Sequence, residues 1–367
     1  MMAKKIRVGI LFGGRSAEHE VSLQSAKNIV DAIDSKKYEV VLIGIDKKGR
    51  WHLSEGSRLL LPAVESGLPE LPDKGENLAL VPGKQEDQLV AFSGQQKLGR
   101  LDVIFPVLHG PFGEDGTVQG LLKLANIAFV GAGVLGSAVG MDKDVMKRLL
   151  RDAGIPIGRF ITVNRYSSKE ITFEDARGEL GLPLFVKPAN LGSSVGIHKV
   201  TERAAFERAV RDAFHYDNKI LIEEFIMGRE IECSVLGNEN PIASVPGEIL
   251  PRHEFYSYEA KYLDEDGAAL EIPAKLPPAT SERIRQLAIK TFSTLCCEGM
   301  ARVDFFLRNG EEIIVNEINT IPGFTRISMY PKLWEATGIS YSELIDRLIQ
   351  LAIERFEKEK RLKTDRV

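Results

Sequence analysis

The stretch "ARVDFFLRNGEEIIVNEINT", Ala301 to Thr320, carries the strongest constellation of chemistry-bearing residues. Asn309-Gly310 reads as the two-residue turn of a β-hairpin, the strongest short-range signal for that motif. Such a turn predicts Arg302 opposite Glu317, with Asp304 diagonal to it across the ladder. The two-residue period then puts Arg302, Asp304, Glu317 and Asn319 on one face. Val303, Phe305, Leu307, Ile314 and Ile318 fall on the other, the core side. Two carboxylates and an amide oxygen on rigid strands are hard donors suited to Mg²⁺ shared with substrate phosphates. The same face also reads as a solvated one with an Arg–Glu cross-strand pair worth about 0.5 kcal/mol.

A second candidate is "GILFGGRSAEHEVSLQSAKNIVDAI" near the start. A strand running into glycines and then a helix is the usual cradle for a phosphate. Here the first helical turn carries Glu18, His19 and Glu20, and carboxylates repel phosphates. The guest of this loop is therefore read as a cation.

Three further motifs suit a nucleotide. In "LFVKPANLGSSVGIHKV" a strand ends in Lys187, and the backbone N–H groups of Gly192, Ser193 and Ser194 could close over phosphate oxygens. It is not a Walker A loop, because Lys precedes the glycines and a strand follows them; a plain hairpin connection is the other reading. Lys143 in "GMDKDVMK" stands at the positive end of a helix dipole, either neutralised by Asp142 and Asp144 or aimed into a phosphate site. "KILIEEFIMGREIECSV" offers Glu223, Glu224, Phe225, Ile226 and Glu230 to adenine and ribose, or holds only charged strand ends. A last motif, "EFYSYEAKYLDEDG", sets Tyr256, Tyr258 and Tyr262 beside Lys261, as an aromatic lid or as a packed edge.

These motifs need elements to position them. The 367 residues suffice for two or three domains with proper cores. Hydrophobic residues at 44% and charged residues at 27% are ordinary for a globular enzyme-sized chain. A net charge of −4 with scattered basic residues gives no nucleic-acid surface. The three cysteines, Cys233, Cys296 and Cys297, show no bridge or zinc spacing, which suits a reducing compartment. The apolar run Val8 to Phe12 is too short for a signal peptide core or a membrane span. A cytoplasmic location is the expectation.

The opening run "IRVGILF" reads as a doubly covered strand, followed by a helix with Ala26, Ile29, Val30 and Ile33 on one stripe. With "YEVVLIGID" and "DVIFPVLHG" it predicts an open parallel α/β unit to about Gly131, interrupted by an elaborated insertion from Leu59 to Gly99. From Gly133, a helix with Met146, Leu149, Leu150 and Ala153 on one stripe leads into strands "FITV", "LPLFVKP" and "GIHKV", a helix and "KILIEEF", a small α+β unit. From Glu224 come "EIECSVLG" and "ASVPGEIL", a long loop from Arg252 to about Leu276, a helix, the hairpin and a last helix. Loops of that length are usually functional lids or disordered.

Taken in order, "GGRSAEHEVSL", "HGPFGEDGT", "MDK", "KPANLGSSVG", "YEAKY", "ARVDFF" and "NEINTIPGFT" closely resemble the D-alanine–D-alanine ligases of the ATP-grasp superfamily, in the longer of their two subtypes. The resemblance covers nearly the whole chain and thins over Leu59 to Gly99. It implies an ATP-grasp fold, α/β and α+β, in three domains: 1–131 for the first substrate, 132–222 as the central ATP-grasp domain, and 223–367 as the catalytic and metal-binding domain with a lid at about 252–276. It implies formation of D-alanyl-D-alanine from ATP through an acyl phosphate, for peptidoglycan precursors, with two Mg²⁺ (or Mn²⁺) as cofactors and a homodimer as the assembly.

The resemblance also implies roles. Glu18 would anchor the ammonium of the first D-alanine, with Ser193 and Tyr262 as its hydrogen-bonding partners. Lys143 and Lys187 would bind ATP phosphates, and Lys261 the γ-phosphate or the second substrate. Glu223 and Ile226 would meet adenine and Glu230 the ribose, with Ser194, Phe225, Phe306 and Asn316 also in the ATP site. Asp304, Glu317 and Asn319 would hold the metals, Glu317 bridging. Arg302 and the Gly323 N–H would stabilise the tetrahedral oxyanion, while His109 and Ser328 would bind substrate. Glu224 stands where many relatives carry Lys, so its contacts are backbone or differ. An intact "YEAKY" favours a D-alanine acceptor over D-serine or a hydroxy acid.

Three rival readings stand beside this one. A ligase for another amino acid shares every motif. A dinucleotide oxidoreductase needs GxGxxG after the first strand, and "GGRSAEHE" lacks that spacing. A regulatory nucleotide-binding protein would be expected to have lost a metal carboxylate or Arg302, and both are present.

Overall fold

The apolar run near the start becomes β1 (Ile6–Gly13), whose Val8, Ile10, Leu11 and Phe12 are fully buried. The computed structural model describes residues 4–54, 76–83, 88–92, 99–166, 171–192, 195–251 and 268–363. A strand apolar on both alternating faces must be covered on both. α1 (His19–Ala32) supplies one cover through Ala26 and Ile29, with Ile33 just past its end. There follow β2 (Tyr38–Ile45), β3 (Trp51–Ser54), β4 (Glu76–Leu80), β5 (Leu89–Ala91), β6 (Val103–Val107), α2 (Thr117–Leu124) and β7 (Ala128–Phe129).

These strands form one sheet in the order β5-β4-β3-β2-β1-β6-β7. The parallel sheet expected from the sequence is only its β2-β1-β6-β7 half. β3, β4 and β5 extend it antiparallel, so the sheet is mixed. The open edge of β2 supplies unpaired backbone groups that β3 takes up, and β4 and β5 then add in turn to the new edge each strand leaves. Runs as brief as Leu89–Ala91 carry too little alternation to announce themselves as strands.

Next come α3 (Val134–Met141) and α4 (Lys143–Asp152). The sequence pattern hides α3 because it contains glycines set by close packing: a β-carbon on Gly136 would lie 2.5 Å from the Cys296 carbonyl oxygen. α4 is started by Asp142, whose carboxylate accepts the N–H groups of Asp144 and Val145. Its stripe differs from expectation. Met146 and Leu150 are buried, but Leu149 is 39% exposed, and Lys147 is buried instead. The helix therefore has two covered faces, one apolar and one carrying Lys143 and Lys147 at i, i+4.

β8 (Phe160–Asn164), α5 (Phe173–Leu180), β9 (Leu184–Pro188), β10 (His198–Val200), α6 (Arg203–Tyr216) and β11 (Lys219–Glu224) build a second, antiparallel sheet in the order β10-β9-β11-β8. α5 and α6 pack on it through Ala176, Leu180, Phe206 and Ala213, the expected α+β arrangement.

The third sheet runs β15-β14-β12-β16-β17, from β12 (Arg229–Gly237), β14 (Gly247–Pro251), β15 (Ala268–Glu271), β16 (Gly299–Arg308) and β17 (Glu312–Asn319). β13 (Ile242–Ala243) pairs with β12. The run "ASVPGEIL" is thus two pieces, with Pro246 between them lacking the N–H a continuous ladder needs. The end of the expected loop contains β15, paired to β14. α7 (Pro278–Thr294) and α4 cover the core face of this sheet with Ile284, Phe292, Met146 and Leu150. α8 (Met329–Ala336) and α9 (Tyr341–Glu359) bring Tyr330, Trp334, Leu344 and Leu348 back onto the core of β1 and β6. That return clamps the segment after β17 between the first and third sheets: Phe324 meets Phe105 edge to face at 5.7 Å. Among the described residues no helix is long and apolar enough to cross a membrane.

Candidate active site

The hairpin keeps its predicted face but not its predicted register. Asp304, not Arg302, stands opposite Glu317, and Arg302 stands opposite Asn319. Two one-residue shifts cause this. Arg308 pairs with Glu312, so the loop closes with three residues, Asn309 and Gly310 both at positive φ. The ladder then shifts again between Asp304 and Phe305, leaving Asn316 as an extra residue on β17. Either shift alone would flip the distal residues to the other face; together they restore it. Only the interval between them is inverted. Ile314, expected on the same face as Ile318, is buried as expected but lies across from Phe306 on the other face, while Ile313 and Val315 join the cluster with Ile318.

Asp304 and Glu317 are therefore direct cross-strand neighbours, close enough for their carboxylates to share a cation. Asp304 accepts both Arg302 Nε–H and Nη2–H at 2.7 Å, and the Asn319 amide at 3.0 Å. Turning that amide over presents its oxygen to the same place. No group of three or more His, Cys, Asp or Glu able to hold a metal occurs among the described residues. Two carboxylates and one amide fit Mg²⁺ nonetheless, because that ion keeps waters and substrate phosphates in its shell rather than an all-protein cage.

Glu18 reaches this face from the other side. Gly13 and Gly14 turn the chain at φ +92° and +98°, and a β-carbon on Gly13 would lie 2.2 Å from the Ile45 carbonyl oxygen. The N–H groups of this turn are spent within the protein: Gly13 donates to Ser22 Oγ at 2.7 Å and Gly14 to Ile45 O at 2.8 Å. Neither of these two N–H groups is left for a phosphate. The Glu18 carboxylate projects toward Gly110 and Gly192, with Oε2 3.0 and 3.7 Å from where their β-carbons would stand.

Glu18, His109, Gly192, Arg302, Glu317, Asn319, Gly323 and Ser328 all line one cavity. Two acids that sequence reasoning did not single out line it as well, Glu114 and Glu232. Glu114 accepts the Gly110 N–H at 2.7 Å and the Ile321 N–H at 3.2 Å. Burial, with the Glu18 charge beside it, pushes its carboxyl up to about 8, so it is largely protonated at neutral pH. His109 Nδ1–H donates to Ile321 O at 3.0 Å, and burial lowers the ring's basicity, so it is neutral with Nε2 as an acceptor. The position of Glu114 in "HGPFGEDGT" and the two-residue step from Glu230 to Glu232 were the available signals.

The backbone after β17 is similarly accounted for. Ile321 N–H goes to Glu114, Pro322 has none, and Phe324 N–H goes to Ser25 Oγ at 3.2 Å. Gly323 keeps an N–H with no acceptor among the described residues, and a β-carbon there would lie 2.8 Å from Ser328 Oγ. The Ser328 hydroxyl meets Thr325 Oγ1 at 2.7 Å.

The lysines form a second group. Lys143 Nζ donates to Leu191 O at 2.6 Å and lies 3.5 Å from Glu317 Oε2. Lys187 Nζ is 2.6 Å from Glu223 Oε2, and Lys147 Nζ is 3.2 Å from Oε1 of the same carboxylate. Burial lowers the Lys147 pKa, and the two ammonium groups together hold the Glu223 carboxyl below its usual value despite its burial. Lys147 escaped sequence reasoning, although its i+4 step from Lys143 on one helix would have shown it.

Glu224 turns away from this group. Its carboxylate accepts Arg159 N–H at 2.8 Å and Nε–H at 3.0 Å, and its own N–H donates to Arg159 O at 3.1 Å. Phe225 and Ile226 follow β11, Phe225 with its ring 6.1 Å from that of Phe185. Glu230 and Phe306 are paired across β12 and β16, and Asn316 is the extra residue of the bulge. Ser193, Ser194, Lys261 and Tyr262 lie outside the described residues, as does most of the expected lid.

Residues 7–132 match the family described as D-ala D-ala ligase N-terminus, and residues 149–350 that described as D-ala D-ala ligase C-terminus. The chain is 59% identical over 363 residues to a D-alanine–D-alanine ligase of Shouchella clausii (strain KSM-K16), covering 99% of this chain and 98% of that one. Among solved structures, the D-alanine-D-alanine ligase from Coxiella burnetii superposes with a TM-score of 0.85 at 39% identity, over 98% of this chain and 97% of that one. The VanG D-Ala:D-Ser ligase from Enterococcus faecalis gives 0.84 at 34%, over 95% and 100%.

Proposed function

Because the chain belongs to the D-alanine–D-alanine ligase family, which joins two D-alanine molecules at the expense of ATP for peptidoglycan synthesis, we propose that the cavity between Glu18 and the β16–β17 hairpin is where both amino acids meet the γ-phosphoryl of ATP. One observation carries this most directly: Glu18, a carboxylate suited to an ammonium, the Arg302 guanidinium, the hard donors Glu317 and Asn319, and Gly323 with its N–H all line a single cavity, and Asp304 stands directly across the ladder from Glu317.

The first D-alanine places its ammonium against Glu18 and the His109 Nε2 lone pair, while protonated Glu114 adds no second negative charge. Its carboxylate oxygen attacks the γ-phosphorus of ATP, the bond to ADP breaks, and an acyl phosphate forms. Lys143 and Lys187 hold the phosphates, and Glu223, the backbone from Glu224 to Ile226, Glu230 and Phe306 hold the nucleoside. Asp304, Glu317 and Asn319 would hold two Mg²⁺ ions, which when bound offset charge on the transferring phosphoryl. The amine of the second D-alanine then attacks the acyl carbon, and phosphate leaves as the amine gives up a proton. Arg302 and the Gly323 N–H receive the oxyanion, a task worth roughly 3 kcal/mol per donor, and Ser328 orients the second carboxylate. As the family resemblance implies, Ser193 and Tyr262 would be hydrogen-bonding partners of Glu18, and Lys261 a cation for the γ-phosphate or the second substrate.

Consumption of ATP and the free thiols of Cys233, Cys296 and Cys297 favour the cytoplasm. The reading is tested by phosphate release from ATP and Mg²⁺ with D-alanine, L-alanine, D-serine and D-lactate offered singly and in pairs with D-alanine. D-Alanine alone is expected to suffice. Release only with a mixed pair would move the acceptor to D-serine or D-lactate, and release with L-alanine alone would overturn the assignment.

A further inference from the structure

We infer that Glu232 is a positioning residue that takes over the Arg302 guanidinium when Asp304 turns to a metal ion; this rests on the reaction and metal set proposed above. β12 directs Ile231, Cys233 and Val235 into the core, which puts Glu232 on the cavity face. Glu232 stands opposite Asp304, and Asp304 opposite Glu317, so three carboxylates form a row across three neighbouring strands. Arg302 is shared between two of them. Its Nε–H donates to Asp304 Oδ1 at 2.7 Å, while Glu232 Oε2 lies 2.8 Å from the same nitrogen.

A single N–H cannot serve two acceptors at full strength, so the two carboxylates compete for it. A cation binding Asp304 must draw it from Arg302. A guanidinium released without a second carboxylate would resist that exchange, since its side chain is only 18% exposed and its charge would lose a partner. With Glu232 already at contact distance, Arg302 re-aims its Nε–H and stays over the cavity where the oxyanion develops. Glu232 thus eases metal entry at Asp304 and keeps Arg302 in place afterwards.

The test compares the wild type with Glu232→Gln and Glu232→Asp. Mn²⁺ binding is read by electron paramagnetic resonance with ADP present, and kcat and KM are measured separately. Glu232→Gln is expected to weaken Mn²⁺ binding and lower kcat by roughly tenfold each, with KM for the first D-alanine moving less than about twofold, the scale of one charge-assisted hydrogen bond. Glu232→Asp is expected to recover part of both losses. Wild-type Mn²⁺ affinity and kcat in Glu232→Gln, or equal losses in the two variants, would overturn the inference. Wild-type chain without D-alanine-dependent phosphate release would overturn the ligase reading instead, and the Mn²⁺ titrations would still judge Glu232. Circular dichroism identifies a misfolded Gln variant, in which case the Asp variant decides: a wild-type profile supports the need for a carboxylate, and an unchanged kcat with lost Mn²⁺ binding sinks the role in positioning Arg302.

Discussion

The Lys143 ammonium lies 3.5 Å from Glu317 Oε2, joining the first residue of α4 to β17. The same nitrogen donates to Leu191 O, at the start of the glycine-serine loop. One side chain therefore ties together three segments remote in sequence, at the point where triphosphate and metal would meet. A cation at a helix N-terminus is disfavoured by the dipole, and a carboxylate at that distance offsets the cost.

Glu317→Ala removes the acid that faces both Asp304 and Lys143. Dipeptide formation and phosphate release are expected to fall by on the order of a thousandfold or more, as loss of metal-borne charge stabilisation would produce. Full activity would take Glu317 out of the metal set.

Glu18→Gln keeps the shape of the side chain and removes its charge. The first D-alanine is expected to bind roughly ten- to a hundredfold more weakly, while ATP affinity stays near that of the wild type. Titration of each substrate by calorimetry separates the two, and equal losses would contradict an ammonium site.

Lys147→Met should cost stability rather than chemistry alone. The buried Glu223 carboxylate would keep Lys187 but lose one of its two cations. A loss of roughly 2 kcal/mol is expected, below the full value of a broken buried pair because one partner remains. Urea denaturation measures it; an unchanged midpoint would show that a single lysine suffices.

Glu114 predicts a pH dependence. Its folded pKa is raised above the unfolded value of 4.5 to about 8, chiefly by burial. The folded state therefore holds the proton more tightly, so this group's contribution to stability is complete below pH 4.5 and is lost as pH rises toward 8. Glu114→Gln is expected to flatten the decline of unfolding free energy across that window. A parallel decline in wild type and variant would assign it to other groups.

Much of this site was legible because strand periodicity is a local property. Arg302, Asp304, Glu317 and Asn319 share a face in the sequence pattern and in the structure, and α1 turns its expected apolar stripe inward. The register was not legible: an Asn-Gly pair does not tell a two-residue turn from a three-residue loop, and nothing in "IIVNEIN" marks Asn316 as a bulge. Leu149 and Lys147 exchanged expected places because α4 is covered on two faces, which no single-stripe pattern encodes. The antiparallel strands between 51 and 91 depended on an edge that exists only once β2 has paired.

The sequence by itself determined the strands and helices with strong periodicity, the motifs in their order, and the acids and cations available for chemistry, since these follow from residue type and spacing along the chain. Tertiary structure alone decided that Glu114 faces Glu18, that Glu232 competes with Asp304 for Arg302, and that Lys147 is buried against Glu223. The reason is physical: burial, hydrogen bonding and charge pairing act through space, and residues distant in the chain acquire their protonation and partners only when packing brings them together.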